Sequence, residues 1–334
     1  MDTQRNSNLE LMRIISMFFI VLGHVILFGK LLETENKTIL LIYYFIEFIL
    51  IIHVNSYVLV TGYFQSKSKF KLKKIWSIIS SSWFYRVIIM TIFLSLGLIS
   101  IGIGQIIKDI FPISIDNYWF IKVYIILYLF SPFFNKLINN LNKDEFLKLL
   151  ILGFIIFCVT PYITNNEFFE NSGYTLYNFV YLYFLGAYLN RYPLNKSKYF
   201  KRLEKRKFRN IMLLIFFCCV VLNFILFYVA QCLIPTNNSI ANYLCSMILN
   251  NKIAYSNPII VIETIAYFQV FLTFELKSKI INRISALTLG IYFIHENNYV
   301  REKLYNWLGV INGNHNSFAF IGYVFIVAIL IFVV

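Results

Sequence analysis

Apolar runs long enough to cross a hydrocarbon core of about 30 Å recur along the whole chain. They fall at residues 10–29, 39–62, 75–97, 118–138, 147–163, 173–190, 211–232, 253–274, 285–305 and 316–334. The fifth and sixth are short, and the ninth is interrupted by polar residues. This pattern predicts an all-α polytopic membrane protein of about ten transmembrane helices, forming one domain over 1–334 with no soluble domain. The loops between the runs alternate in charge. Lys67, Lys69, Lys71, Lys73 and Lys74, then Lys136, Lys143 and Lys148, then the stretch from Arg191 to Arg209, then Lys277, Lys279 and Arg283 all fall on the side of the N-terminus. The opposite loops are neutral or acidic, with Glu33 and Glu35, Asp109 and Asp116, and Glu167 and Glu170. An excess of Lys and Arg marks the cytoplasmic side, so both termini are expected to be cytoplasmic.

Composition agrees with a membrane location. Hydrophobic residues make up 59% of the chain and charged residues only 14%, against about a quarter charged in soluble domains. The formal charge of +14 would suit nucleic acid in a soluble protein. Here the positive residues are concentrated in short loops, so membrane topology and lipid headgroups account for them and no nucleic-acid partner is expected. The cysteines at 158, 218, 219, 232 and 245 lie in or beside apolar runs without metal-ligand spacing. They read as small membrane hydrophobes, and no metal or disulfide is expected. The first run lacks a small-residue cleavage site and is expected to be a retained helix. Sequence does not define an oligomeric state.

The first run carries unusual chemistry for a membrane segment. At about 100° per residue, Arg13 and His24 fall within roughly 20° of each other, with Glu10 roughly 60° from Arg13. His24 lies about 16 Å beyond Arg13 along the axis. Each residue has a plainer reading alone: a snorkelling arginine, a carboxylate at a helix N-terminus, a hydrogen-bonded structural histidine. Three on one face point to a polar interior, because an ionisable group at depth costs about 2.5 kcal/mol or more unless it faces one. Further polar residues sit within apolar runs: Glu47, His53, Asn55, Arg86, Asn223, Glu263, Gln269 and His295, with Tyr118 and Trp119 opening the fourth. They imply a cavity lined by the first four spans and the ninth.

Four segments carry a family resemblance. They are Asn6-x-x-Leu9-Glu10-Leu11-x-Arg13 with His24; Val54-Asn55-x-Tyr57-x-x-x-Thr61-Gly62-Tyr63-Phe64; the Tyr118-Trp119-Phe120…Asn135 stretch; and Leu289-Gly290-Ile291-Tyr292-Phe293-Ile294-His295. The chain resembles the acyltransferase-3 family of integral-membrane acyltransferases, in its branch that O-acetylates exported bacterial polysaccharides. Tyr57 and Thr61 stand where that family usually has Phe and Ser. The resemblance implies transfer of an acetyl or other acyl group from cytoplasmic acetyl-coenzyme A to a hydroxyl of an exported polysaccharide or its lipid-linked precursor, in a bacterial plasma membrane. It implies catalytic roles for His24, Arg13 and Glu10, with His24 as general base or as transient acyl carrier. It implies donor binding by Arg13, Lys71, Lys73, Lys74 and Arg86, and acceptor binding by Asn55, Tyr118, Trp119 and His295. A flippase for a lipid-linked glycan is the competing reading, since it too needs a polar midplane cavity.

Overall fold

The computed structural model describes residues 6–111, 118–164, 172–233 and 239–333. Asp116, Asn117, Glu167 and Glu170 lie outside these. Among the described residues the chain is helical, with no strand. In chain order the helices are α1 (Ser7–Phe28), α2 (Lys37–Leu50), α3 (His53–Gln65), α4 (Leu72–Ser95), α5 (Ile103–Ile110), α6 (Trp119–Asn140) and α7 (Lys143–Phe154). A π-helical turn (Ile155–Val159) joins α7 to α8 (Thr160–Thr164). Then follow α9 (Leu176–Arg191), α10 (Lys205–Leu233), α11 (Ser239–Asn250), α12 (Pro258–Leu272), α13 (Lys279–His295), α14 (Asn298–Trp307) and α15 (Phe318–Val333).

Among the described residues, six helical stretches are long and apolar enough to cross a membrane: Ser7–Phe28, Lys37–Gln65, Leu72–Ser95, Trp119–Asn140, Lys143–Thr164 and Lys205–Leu233. The sixth, eighth, ninth and tenth expected spans correspond to the shorter helices α9, α12, α13 and α15. The second expected span is broken where α2 ends and α3 begins, which places His53 at the start of a new helix. The ninth is corrected in register. Its helix starts at Lys279 and stops at His295, and α14 is a separate polar helix. The reason is local: Asn297 accepts from Tyr299 N at 3.0 Å and so opens a new helix where the apolar pattern ran on. Asparagine plays the same part elsewhere, as Asn36 before α2, Asn142 in a capping box with Glu145 before α7, and Asn257 before α12. The short helices α5 and α11 were not expected from the apolar pattern.

Hydrogen bonds gather the basic loops at one end of the bundle. Asn8 Nδ2 donates to Phe271 O at 2.8 Å, Asn135 Nδ2 to Gln65 O at 3.0 Å, and Arg191 to Ile138 O at 2.7 Å. Lys205 pairs with exposed Glu275 there, and its hydrogen bond and charge hold that carboxyl below the usual range. At the far end, Thr34 Oγ1 donates to Asn316 Oδ1 at 2.7 Å, and Tyr255 N to Ser172 O at 2.8 Å.

The tightest crossing is between α3 and α9, where two glycines face the opposing backbones. A Cβ on Gly62 would lie 2.1 Å from Tyr183 O, and one on Gly186 would lie 2.1 Å from Leu59 O. Apolar contact with lipid is as favourable as with another helix, so small residues that let backbones meet are what hold such a pair together. This crossing fixes α3, and with it His53, Asn55 and Tyr57.

Candidate functional site

A cavity of about 490 Å³ runs between α1, α3, α4, α6 and α13. These are the helices of the first four expected spans and the ninth. The wall from α1 is a single stripe of Arg13, Met17, Ile20 and His24, spaced at the helical repeat. Helix α3 adds His53, Val54, Tyr57 and Thr61; α6 adds Trp119, Phe120, Ile121 and Tyr124. Lys74 and Ser285 line the cavity toward the basic end, and Tyr174 and Tyr255 line it toward the far end.

The mouth at the basic end is organised around Arg13. Its Nη1 lies 3.0 and 3.2 Å from the two oxygens of Glu10, and Ser285 Oγ donates to the same carboxylate. The Tyr57 hydroxyl donates to Arg13 O at 2.7 Å. Glu10 is therefore engaged in holding Arg13. The Lys74 ammonium sits 4.7 Å from the centre of the Tyr128 ring, a cation–π contact that aims it inward along the aromatic wall.

At the deep end three potential ligand atoms, from His24, His295 and Glu296, lie within 4.8 Å of one another. His24 Nδ1 is 3.1 Å from His295 Nε2 and 3.1 Å from Glu296 Oε1. Arg301 Nη1 lies 3.4 Å from the other Glu296 oxygen, and its guanidinium covers the Phe28 ring at 4.9 Å. The trio has the donor types of a cation site, which the absence of cysteine spacing had not anticipated. A guanidinium already neutralises its only carboxylate, and that weighs against a second cation. His53 also lines the cavity, and its Nδ1 has no hydrogen-bond partner among the described residues. Trp119, Tyr174 and Tyr255 form an aromatic cluster with centroids 4.4 Å (119–174), 4.9 Å (174–255) and 6.1 Å (119–255) apart. Gly173, at φ +80°, makes the turn that brings Tyr174 against Tyr255, a backbone conformation that suits glycine best.

The expected site residues divide accordingly. Arg13, His24, Lys74 and Trp119 line the cavity, and Glu10 and His295 directly support them. Lys71 and Lys73 are exposed beside Lys74 but outside the lining. Asn55 stands behind the wall, donating to Tyr255 O at 2.8 Å and so holding the aromatic cluster. Tyr118 is likewise buried behind it, donating to Phe293 O at 2.8 Å and locking α6 to α13. Arg86 lies elsewhere. It is twelve residues beyond Lys74 on the same helix, about 18 Å, and donates to Phe111 O at 2.7 Å in a cluster near Asp109 and Tyr299. One helix cannot place both cations at the same mouth. Sequence reasoning passed over Glu296, Arg301, Tyr174 and Tyr255 as site residues, and counted His53 only among the buried polar groups. Glu296 and His53 carried the signal of ionisable groups within apolar runs, whereas Tyr174 and Tyr255 lie in loops that only the fold brings to the cavity.

The family model for the acyltransferase domain matches residues 6–334, and the chain belongs to the acyltransferase-3 family of membrane acyltransferases. No curated protein and no solved structure matches it.

Proposed function

We propose that the protein transfers an acetyl group from coenzyme A, entering at the basic end, to a hydroxyl of a cell-surface glycan or its lipid-linked precursor arriving at the far end. In this reading the bundle has ten spans with both termini cytoplasmic. The observation that carries it is the α1 stripe, which with Lys74 of α4 and His53 of α3 joins a cationic mouth at Arg13 and Lys74 to the imidazoles of His24 and His53 through one cavity. The acyl donor is a polyanion on a long thin arm. Its phosphates suit the mouth, and its arm suits the roughly 16 Å from Arg13 to His24. The aromatic cluster around Trp119 offers flat apolar faces and hydroxyl groups to a sugar ring.

The chemistry follows from the positions. A sugar hydroxyl is a poor nucleophile at neutral pH, and a positioned imidazole removes its proton as it attacks the thioester carbonyl. The C–O bond forms and the C–S bond breaks. The proton taken by His24 passes to the departing thiolate, so the imidazole is restored and thiol and ester are the products. Attack by His24 itself, through an acyl-imidazole, would satisfy the same balance in two steps.

Lys74→Ala is expected to raise the donor KM about tenfold, in line with the ~1.5–3 kcal/mol of a hydrogen bond to a charged group, while kcat stays within about twofold. Steady-state release of coenzyme A in membranes at varied acetyl-coenzyme A checks this. A lowered kcat at unchanged KM would remove Lys74 from the donor mouth.

A further inference from the structure

We propose that His295 and the Glu296–Arg301 pair fix the His24 imidazole in the tautomer that carries its proton on Nδ1, leaving Nε2 as the basic nitrogen that faces the cavity. This rests on the reading of His24 as the general base. His295 Nδ1 lies 2.6 Å from Ile291 O, and a carbonyl only accepts, so that nitrogen bears the hydrogen. In the neutral ring the opposite nitrogen, Nε2, is then a bare acceptor. It is this Nε2 that meets His24 Nδ1 at 3.1 Å, and the Glu296 carboxylate stands at the same distance from the same atom. The bond to this acceptor makes Nδ1 the donor, and the carboxylate beside it favours the hydrogen there. His24 Nε2 makes no hydrogen bond among the described residues, and the ring lines the cavity.

The arrangement also determines what happens to charge. When Nε2 takes the hydroxyl proton, the positive charge of the imidazolium is shared with Nδ1–H, beside the Glu296 carboxylate. Arg301 holds that carboxylate through its other oxygen and from the side of Phe28. His295 and Glu296 touch neither donor nor acceptor in this scheme; they act through His24 as positioning residues. Both sit where α13 breaks and α14 begins. Glu296 is the C-cap residue of α13, and Asn297 caps α14 directly after it.

Two measurements test this. The first is the ¹⁵N spectrum of native protein labelled at its 4 histidines and purified in detergent, with His24→Ala to assign the signal. A pyrrole-type Nδ1 and a pyridine-type Nε2 on His24 are expected; the opposite tautomer would overturn the proposal. The second is a set of variants assayed with labelled acetyl-coenzyme A and the lipid-linked glycan fraction of the expressing membranes. His295→Leu and Glu296→Leu are expected to lower kcat by about 10²-fold with the donor KM unchanged. His295→Gln should recover most of the rate, because its carboxamide oxygen reaches the place of Nε2. Equal losses in His295→Leu and His295→Gln, or losses in KM alone, would contradict the positioning role. So would a stoichiometric divalent metal on the native protein that disappears together with activity in Glu296→Leu. A native protein that shows the expected tautomer yet transfers no label would instead defeat the underlying acyltransferase reading.

Discussion

Replacing His24 with alanine is expected to lower acyl transfer by about 10²–10⁴-fold, the usual contribution of a positioned general base, while the protein folds and binds donor as before. The side chain is only partly buried and lines a cavity, so its removal enlarges existing space and creates no closed void. Among the described residues its ring contacts are with Phe28 at 5.3 Å and His295 at 5.3 Å. Of the groups assigned to the donor phosphates, Arg13 is about three turns of α1 away and Lys74 stands on α4, and both keep their own partners. Activity and stability should therefore separate. Transfer of label from acetyl-coenzyme A, measured beside donor binding at matched protein levels, reads this directly. Equal transfer by native and variant protein would remove His24 from the chemistry, and loss of donor binding in step with activity would make its role structural.

The opposite pattern is expected at the α3–α9 crossing. Gly62→Ala or Gly186→Ala must displace a backbone carbonyl that lies 2.1 Å from the new Cβ, a cost of about 1–3 kcal/mol for an overpacked interface. Leucine at either position is expected to prevent assembly. The nearest obstacles are the backbones of Tyr183, Leu59 and Tyr63, not the flexible end of a side chain. Helix α3 carries His53 and Asn55, so stability and activity should fall together. Thermal unfolding followed by size exclusion in detergent gives the check. A Gly62→Leu variant as stable as the native protein would mean that α3 and α9 do not pack as described.

The contrast between these two variants shows what sequence alone could reveal. The 3.6-residue repeat put Arg13 and His24 on one face from residue numbers only, and both line the cavity. Ionisable groups in apolar runs identified which helices would surround that cavity. Spacing along one helix also gave the separation of Lys74 and Arg86, although it was not used, and Arg86 belongs to a different cluster near α5. Beyond one helix the signal weakens. Asn55 and Tyr118 are polar and deep, yet each spends its hydrogen bond on a backbone carbonyl behind the wall. Glu296 was legible as a buried acid, but its value depends on the packing of α1 against α13 that brings it beside His24, 272 positions away in the chain. The apolar pattern was read through His295, Glu296, Asn297 and Asn298 because the capping role of Asn297 is set by local geometry that hydropathy does not record.

The most direct measurement uses sealed inverted membrane vesicles bearing the native chain, with labelled acetyl-coenzyme A supplied to the outer, formerly cytoplasmic, face. The expected result is label on glycan inside the vesicle, with one free coenzyme A left outside for each acetyl group transferred. Glycan that crosses the membrane unlabelled, with no coenzyme A released, would contradict acyl transfer and make the cavity a passage for the glycan itself.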